Sequence, residues 1–166
     1  MSEIDAYRRF VERLAELDST EVFSNGQPAH AQVIFETFFK FAKKNVVIFC
    51  HQLSEKVYGQ QCLVDAVENA LNRGISVRIL TQRTPQATNF ISALAKWRSE
   101  QKPIKLNTAR EGGFESELQS NFAVMDAKAY RFEPANKAHT AFACMNDANT
   151  AQKLSNVFDQ LDARAA

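Results

Sequence analysis

The run Asn45-Val46-Val47-Ile48-Phe49-Cys50 and the later run Ile75-Ser76-Val77-Arg78-Ile79-Leu80 decide the fold. Both are rich in β-branched and aromatic residues, and the first carries no charge. A strand covered on both faces has this near-continuous apolar composition. Between the two runs, residues 60–73 place Leu63, Val64, Val67, Ala70 and Leu71 at steps of three and four, the period of a helix with one buried face. Gly74 follows, the residue type that most readily ends a helix in a left-handed conformation. Strand, helix, glycine and strand make a βαβ unit, whose crossover is nearly always right-handed. The sequence therefore predicts an α/β protein with parallel strands.

Outward from this unit, residues 28–44 read as a helix opened by Pro28, with Val33, Ile34, Phe38 and Phe41 turned inward. Before it, residues 3–17 carry an apolar stripe through Ile4, Tyr7, Leu14 and Leu17. Residues 21–24 suit a short strand ending at the Asn25-Gly26 turn. After the unit come a helix over 87–100, a stop at Pro103, a strand over 104–107 and a polar surface loop over 110–117. Three short strands follow at 120–125, 129–132 and 140–145. A last helix over 149–164 has Leu154, Val157, Phe158 and Leu161 packing inward.

The length of 166 residues suits one core, and no linker divides it. The net charge of +1 provides no general attraction to nucleic acid or an anionic membrane. Cys50, Cys62 and Cys144 are odd in number and lack metal-ligand spacing, so neither a disulfide framework nor a metal site is expected. The first residues lack the apolar run of a signal peptide, and nothing approaches the ~20 apolar residues of a membrane span. The expectation is a cytoplasmic chain with no cofactor and no membrane contact.

The stretch AKKNVVIFC, a polar loop and LVDAVENALNRGISVRIL resemble the first part of a phospholipase D-type module. NFAVMDAKAYRF, TAFACMN and AQKLSNVFDQL then resemble its strand, Asp-centred hairpin, further strand and closing helix. The likeness extends to bacterial phospholipase D-like proteins with the same hairpin and covers about residues 20–164. It implies one phospholipase D-like half-domain, a mixed sheet flanked by helices with an extra N-terminal helix. The implied division is residues 1–19 for that helix and 20–166 for the domain.

In that family a His-x-Lys-x4-Asp motif does the chemistry. One histidine attacks phosphorus, a second protonates the leaving group, and lysines hold the phosphoryl oxygens. Setting Asp126 as the motif's Asp puts Gln119 at its histidine position and Asn121 at its lysine position. The following Gly-Ser-x-Asn element is not visible over 132–136. Gln and Asn can hydrogen-bond a phosphate but cannot replace the nucleophile. The resemblance thus implies a binding or scaffold module rather than a phosphodiesterase, associated with nucleic acid or with a larger complex.

The remnant cleft implied by this likeness comprises His51, Gln119, Asn121, Asp126 and Glu133, with Arg78, Lys128, Arg131 and Lys137 as anion contacts. Each has a plainer reading. His51 also suits a loop histidine bonded to backbone, Asp126 a turn residue, and the basic residues a solvated hairpin. Arg78 marks either a pocket or an exposed edge. His139 cannot open a His-x-Lys pair, because Ala141 stands two residues on, and His30 reads as a surface residue. Phe35, Phe38, Phe39 and Phe41 occupy more than one face of their helix, so the second face needs the N-terminal helix, a second copy or a protein partner. A different chemistry in the same cleft would use His51 and Asp126 with Cys50 or Glu133, and the Cys50 thiol would then need a depressed pKa. A component of a mobile-element or antiviral system is a further class that no residue demonstrates.

Overall fold

The computed structural model describes residues 1–99, 104–113, 118–134 and 140–165. Lys137, His139 and the 132–136 element beyond Pro134 lie outside the described residues, as do Pro103 and residues 114–117 of the polar loop. The described chain runs α1 (Glu3–Glu16), β1 (Val22–Asn25), α2 (Pro28–Phe41), β2 (Asn45–Cys50), α3 (Glu55–Tyr58), α4 (Gln61–Asn72) and β3 (Ser76–Thr81). It continues with α5 (Thr88–Ser99), β4 (Ile104–Thr108), β5 (Asn121–Met125), β6 (Ala129–Glu133), β7 (Ala141–Cys144) and α6 (Ala148–Ala165).

The strands form one mixed sheet in the order β1-β7-β6-β5-β2-β3-β4. β2 pairs in parallel with β3, and β3 with β4. β5 runs antiparallel to both β2 and β6, and β7 antiparallel to both β6 and β1. The carboxyl ends of β1, β2, β3, β4 and β6 therefore share one edge of the sheet. In α/β sheets that edge is where ligands usually sit.

Helices cover the sheet unequally. α1 to α5 lie over one face, where Val46, Ile48, Cys50, Val77, Ile79, Ala123 and Met125 join Phe38, Phe39, Leu63, Val67, Leu71 and Phe90. Among the described helices, α6 covers the centre of the other face, where Phe158 and Leu161 meet Val47, Phe49, Leu80, Phe122 and Val124. With helices on both sides, NVVIFC is buried from Val46 onward, which explains its lack of polar alternation.

The phenylalanine-rich α2 differs from one expectation. Phe38 and Phe39 are fully buried and Phe35 nearly so, because α1 and α4 both pack against α2. These rings are not a surface for a second copy or a protein partner. Only Phe41 stays partly exposed. The last helix also departs from its reading, for Val157 is exposed at 41 % and Asp162 takes a buried position. The Asp162 carboxylate accepts from Lys105 Nζ and Asn107 Nδ2, both at 2.9 Å, which satisfies its buried oxygens.

Candidate binding cavity

A cavity of about 240 Å³ opens at the carboxyl ends of β1, β2 and β6. Its lining combines the first turn of α2 (Pro28, Ala31), the segment after β2 (His51, Gln52, Ser54), α3 (Lys56, Val57, Tyr58), and Asn121, Arg131 and Glu133. The β5–β6 register places Asn121 opposite Glu133 and Ala123 opposite Arg131. Asn121, Arg131 and Glu133 therefore project on one face, because strand side chains alternate.

Two of these side chains form a buried ion pair. Arg131 Nη2 lies 3.4 Å from Glu133 Oε2, with the side chains 5 % and 9 % exposed. Arg131 Nε donates to Asn25 Oδ1 at 3.3 Å, and its guanidinium stacks over the Phe35 ring at 5.3 Å. Arg131 is thus not a solvated hairpin cation. Burying its charge is tolerable because a carboxylate, an amide and a ring face surround it. Asn25 Nδ2 and Tyr7 Oη are buried polar atoms with no partner among the described residues.

His51 sits where β2 ends. Its N–H donates to Asn121 Oδ1 at 2.8 Å, and its carbonyl accepts from the Gln82 and Arg83 N–H groups. The Asn121 amide oxygen is therefore committed to the backbone of β2. Tyr58 is buried against Phe35 and Phe90, and burial pushes its hydroxyl well above the usual tyrosine range. Burial likewise pushes the Cys50 thiol up to about 12, the opposite of what nucleophilic chemistry requires. Cys144 is buried with its pKa also raised, chiefly by burial, whereas Cys62 is exposed. Iodoacetamide should therefore label only Cys62 in the folded protein and all three cysteines in denaturant, as read by intact mass. Labelling of Cys50 without unfolding would contradict the buried assignment.

The structure brings His51, Asn121, Arg131 and Glu133 together and leaves the other described site candidates elsewhere. Gln119 is exposed and does not line the cavity. Arg78 lies on the opposite sheet face, paired with Asp159 at 2.9 Å and stacked on Phe158. Lys128 pairs with Asp18 beside the β5–β6 turn. Asp126, in that turn, accepts from the N–H groups of Lys43, Lys44 and Asn45 at 2.8, 2.8 and 2.9 Å. It binds the hairpin to the α2–β2 corner, at the far end of β2 from the cavity. His30 stacks on Tyr7 with ring centroids 4.0 Å apart. Asn25, Lys56 and Tyr58 were not legible as site residues. The only signal for Asn25 was its turn-forming Asn-Gly, and α3 is one turn long, too short to show a period.

A family model described as "Domain of unknown function (DUF7931)" matches residues 27–166. No curated protein matches the chain. Among solved structures, the phospholipase D family member Nuc from Salmonella typhimurium is similar at a TM-score of 0.60 and 13% identity, covering 88% of this chain and 95% of Nuc. NucT from Helicobacter pylori is similar at 0.61 and 14%, covering 88% and 96%. TrmBL2, an archaeal chromatin protein described as showing a novel mode of DNA binding, is similar at 0.64 and 13%. That match covers 97% of this chain but only 61% of TrmBL2. The fold is thus phospholipase D-like, and no helix among the described residues is long and apolar enough to cross a membrane.

Proposed function

The chain belongs to the DUF7931 family, and from that premise and its phospholipase D-like fold we propose that it is a non-catalytic binding module. The observation that carries this reading is the Asn121 amide. It occupies the position that the family resemblance gives to a phosphate-holding lysine, yet its oxygen is spent on the His51 backbone. Two further features support it. Among the described residues the cavity holds a single imidazole, that of His51, and its one cysteine has a thiol pushed up to about 12. A nucleophile and a base within hydrogen-bond reach of each other are what covalent catalysis needs.

Nucleic acid is the macromolecular partner this reading favours, on the fold likeness to TrmBL2. With a net charge of +1, affinity would rest on local contacts rather than on a general field. Residues 1–19 and 20–166 work as one unit in this reading, supported by the burial of Val11 and Leu14 where α1 meets α2. Free cysteines support a reducing, cytoplasmic setting.

The test is hydrolysis of bis-p-nitrophenyl phosphate and of short single- and double-stranded DNA and RNA, with and without divalent cations. The expected result is no turnover above a buffer blank. Turnover that survives stringent purification and falls at least tenfold in His51→Gln would overturn the reading.

A further inference from the structure

The buried pair at the cavity floor retains unused hydrogen-bonding capacity. Arg131 donates through Nε and Nη2, and Glu133 accepts through Oε2. Among the described residues, Arg131 Nη1 and Glu133 Oε1 have no partner, although both side chains are more than nine-tenths buried and line the cavity. The cavity therefore presents a donor and an acceptor side by side, fixed in direction by Asn25 and by the Phe35 ring.

The charges of the pair cancel. A phosphate or carboxylate buried here would gain Arg131 and face Glu133, so the pair disfavours an anion and suits a neutral group with an acceptor beside a donor. Phe35 and Tyr58 line the same space with aromatic surface, which suits a flat ligand. At about 240 Å³ the cavity is smaller than the roughly 300–1,000 Å³ of drug-sized ligand sites, so it fits a single ring system. Lys56, exposed at the rim with no ion pair among the described residues, and His51 beside it are placed for an anionic group outside the cavity.

We infer that the cavity binds a nucleobase, edge-on to Arg131 and Glu133, with the sugar and any phosphate left toward Lys56 and His51. An amide-like base edge supplies the donor and acceptor together, and the ring lies against the aromatic wall. The inference rests on the non-catalytic reading, since it fills the old cleft with a base instead of a scissile phosphate.

The full chain is titrated by calorimetry with uridine, cytidine, adenosine and guanosine, with ribose 5-phosphate and inorganic phosphate, and with short single-stranded oligonucleotides. At least one nucleoside is expected to saturate a single site, while phosphate and ribose 5-phosphate neither bind there nor compete. An oligonucleotide binding at least tenfold tighter than its nucleoside identifies an unpaired base of a single strand as the source, and equal affinities identify a free nucleoside. The double variant Arg131→Met/Glu133→Leu should weaken nucleoside binding at least tenfold. Val57→Trp, which plugs the cavity from α3 without touching the pair, should do the same and serves if the double variant fails to fold. Absence of saturable nucleoside binding, competition by phosphate, or affinity unchanged in a folded variant overturns the inference. Protein that binds no nucleoside and leaves phosphodiesters intact loses this inference alone, whereas cleavage removes the non-catalytic reading as well.

Discussion

Asp126→Ala is expected to lower the free energy of unfolding by about 3–5 kcal/mol, since each hydrogen bond to a charged group contributes about 1.5–3 kcal/mol and the three bonds do not add fully. The carboxylate accepts from three consecutive backbone N–H groups, those of Lys43, Lys44 and Asn45. Lys43 and Lys44 are exposed and Asn45 is half-buried, so water replaces part of what the carboxylate supplies. The substitution has a second cost. Asp126 has φ 54° and Ala127 φ 50°, a left-handed region that Asp and Asn tolerate and Ala resists. Asp126→Asn keeps one carbonyl oxygen and the tolerance for that conformation, so it should recover about half of the loss. Urea denaturation followed by circular dichroism checks both variants. A loss below about 1 kcal/mol for Asp126→Ala would show that the corner does not depend on this carboxylate.

The buried pair gives the second large effect, with a sign that depends on how it is removed. Arg131→Met leaves Glu133 without its cation in a site where the carboxylate is 9 % exposed. Breaking a buried pair from one side costs about 3–5 kcal/mol. Arg131→Met with Glu133→Leu removes both charges, and such replacements are often neutral or stabilising by about 1–4 kcal/mol. The double variant should therefore be more stable than the single one, with a coupling of several kcal/mol. Equal midpoints in urea for the two variants would mean that the charges are solvated rather than buried. A double variant that is stable yet binds nothing would further show that the pair is kept for recognition.

These two sites also show what the sequence could and could not disclose. The βαβ unit was legible because β2 and β3 are buried on both faces and α4 carries a clean stripe. The observed bounds of β2 are those read from NVVIFC. Asp126 was legible as a turn residue, but its three backbone partners lie more than eighty positions earlier, beyond any local pattern. Arg131 has two readings in the sequence, an anion contact and a solvated hairpin cation, and the residues of AYRFE do not decide between them. Which alternate face is covered depends on α2 and on Asn25 of β1, both distant in sequence. The two apolar faces of α2 could be counted from its phenylalanines, whereas the identity of the cover could not. The answer, α1 and α4, required the tertiary packing.

The pairing of β1 with β7 has a consequence for biosynthesis. Val22 lies opposite Cys144, and among the described strands β7 alone borders β1. On the ribosome, the first strand emerges long before its neighbour has been translated. α1 can dock on α2 early, because the two are close in sequence, but the sheet edge must wait for the last strand. The Asn25 amide reaches Arg131 only from that completed edge. The cavity can therefore be completed only after β7 has been translated and has joined β1.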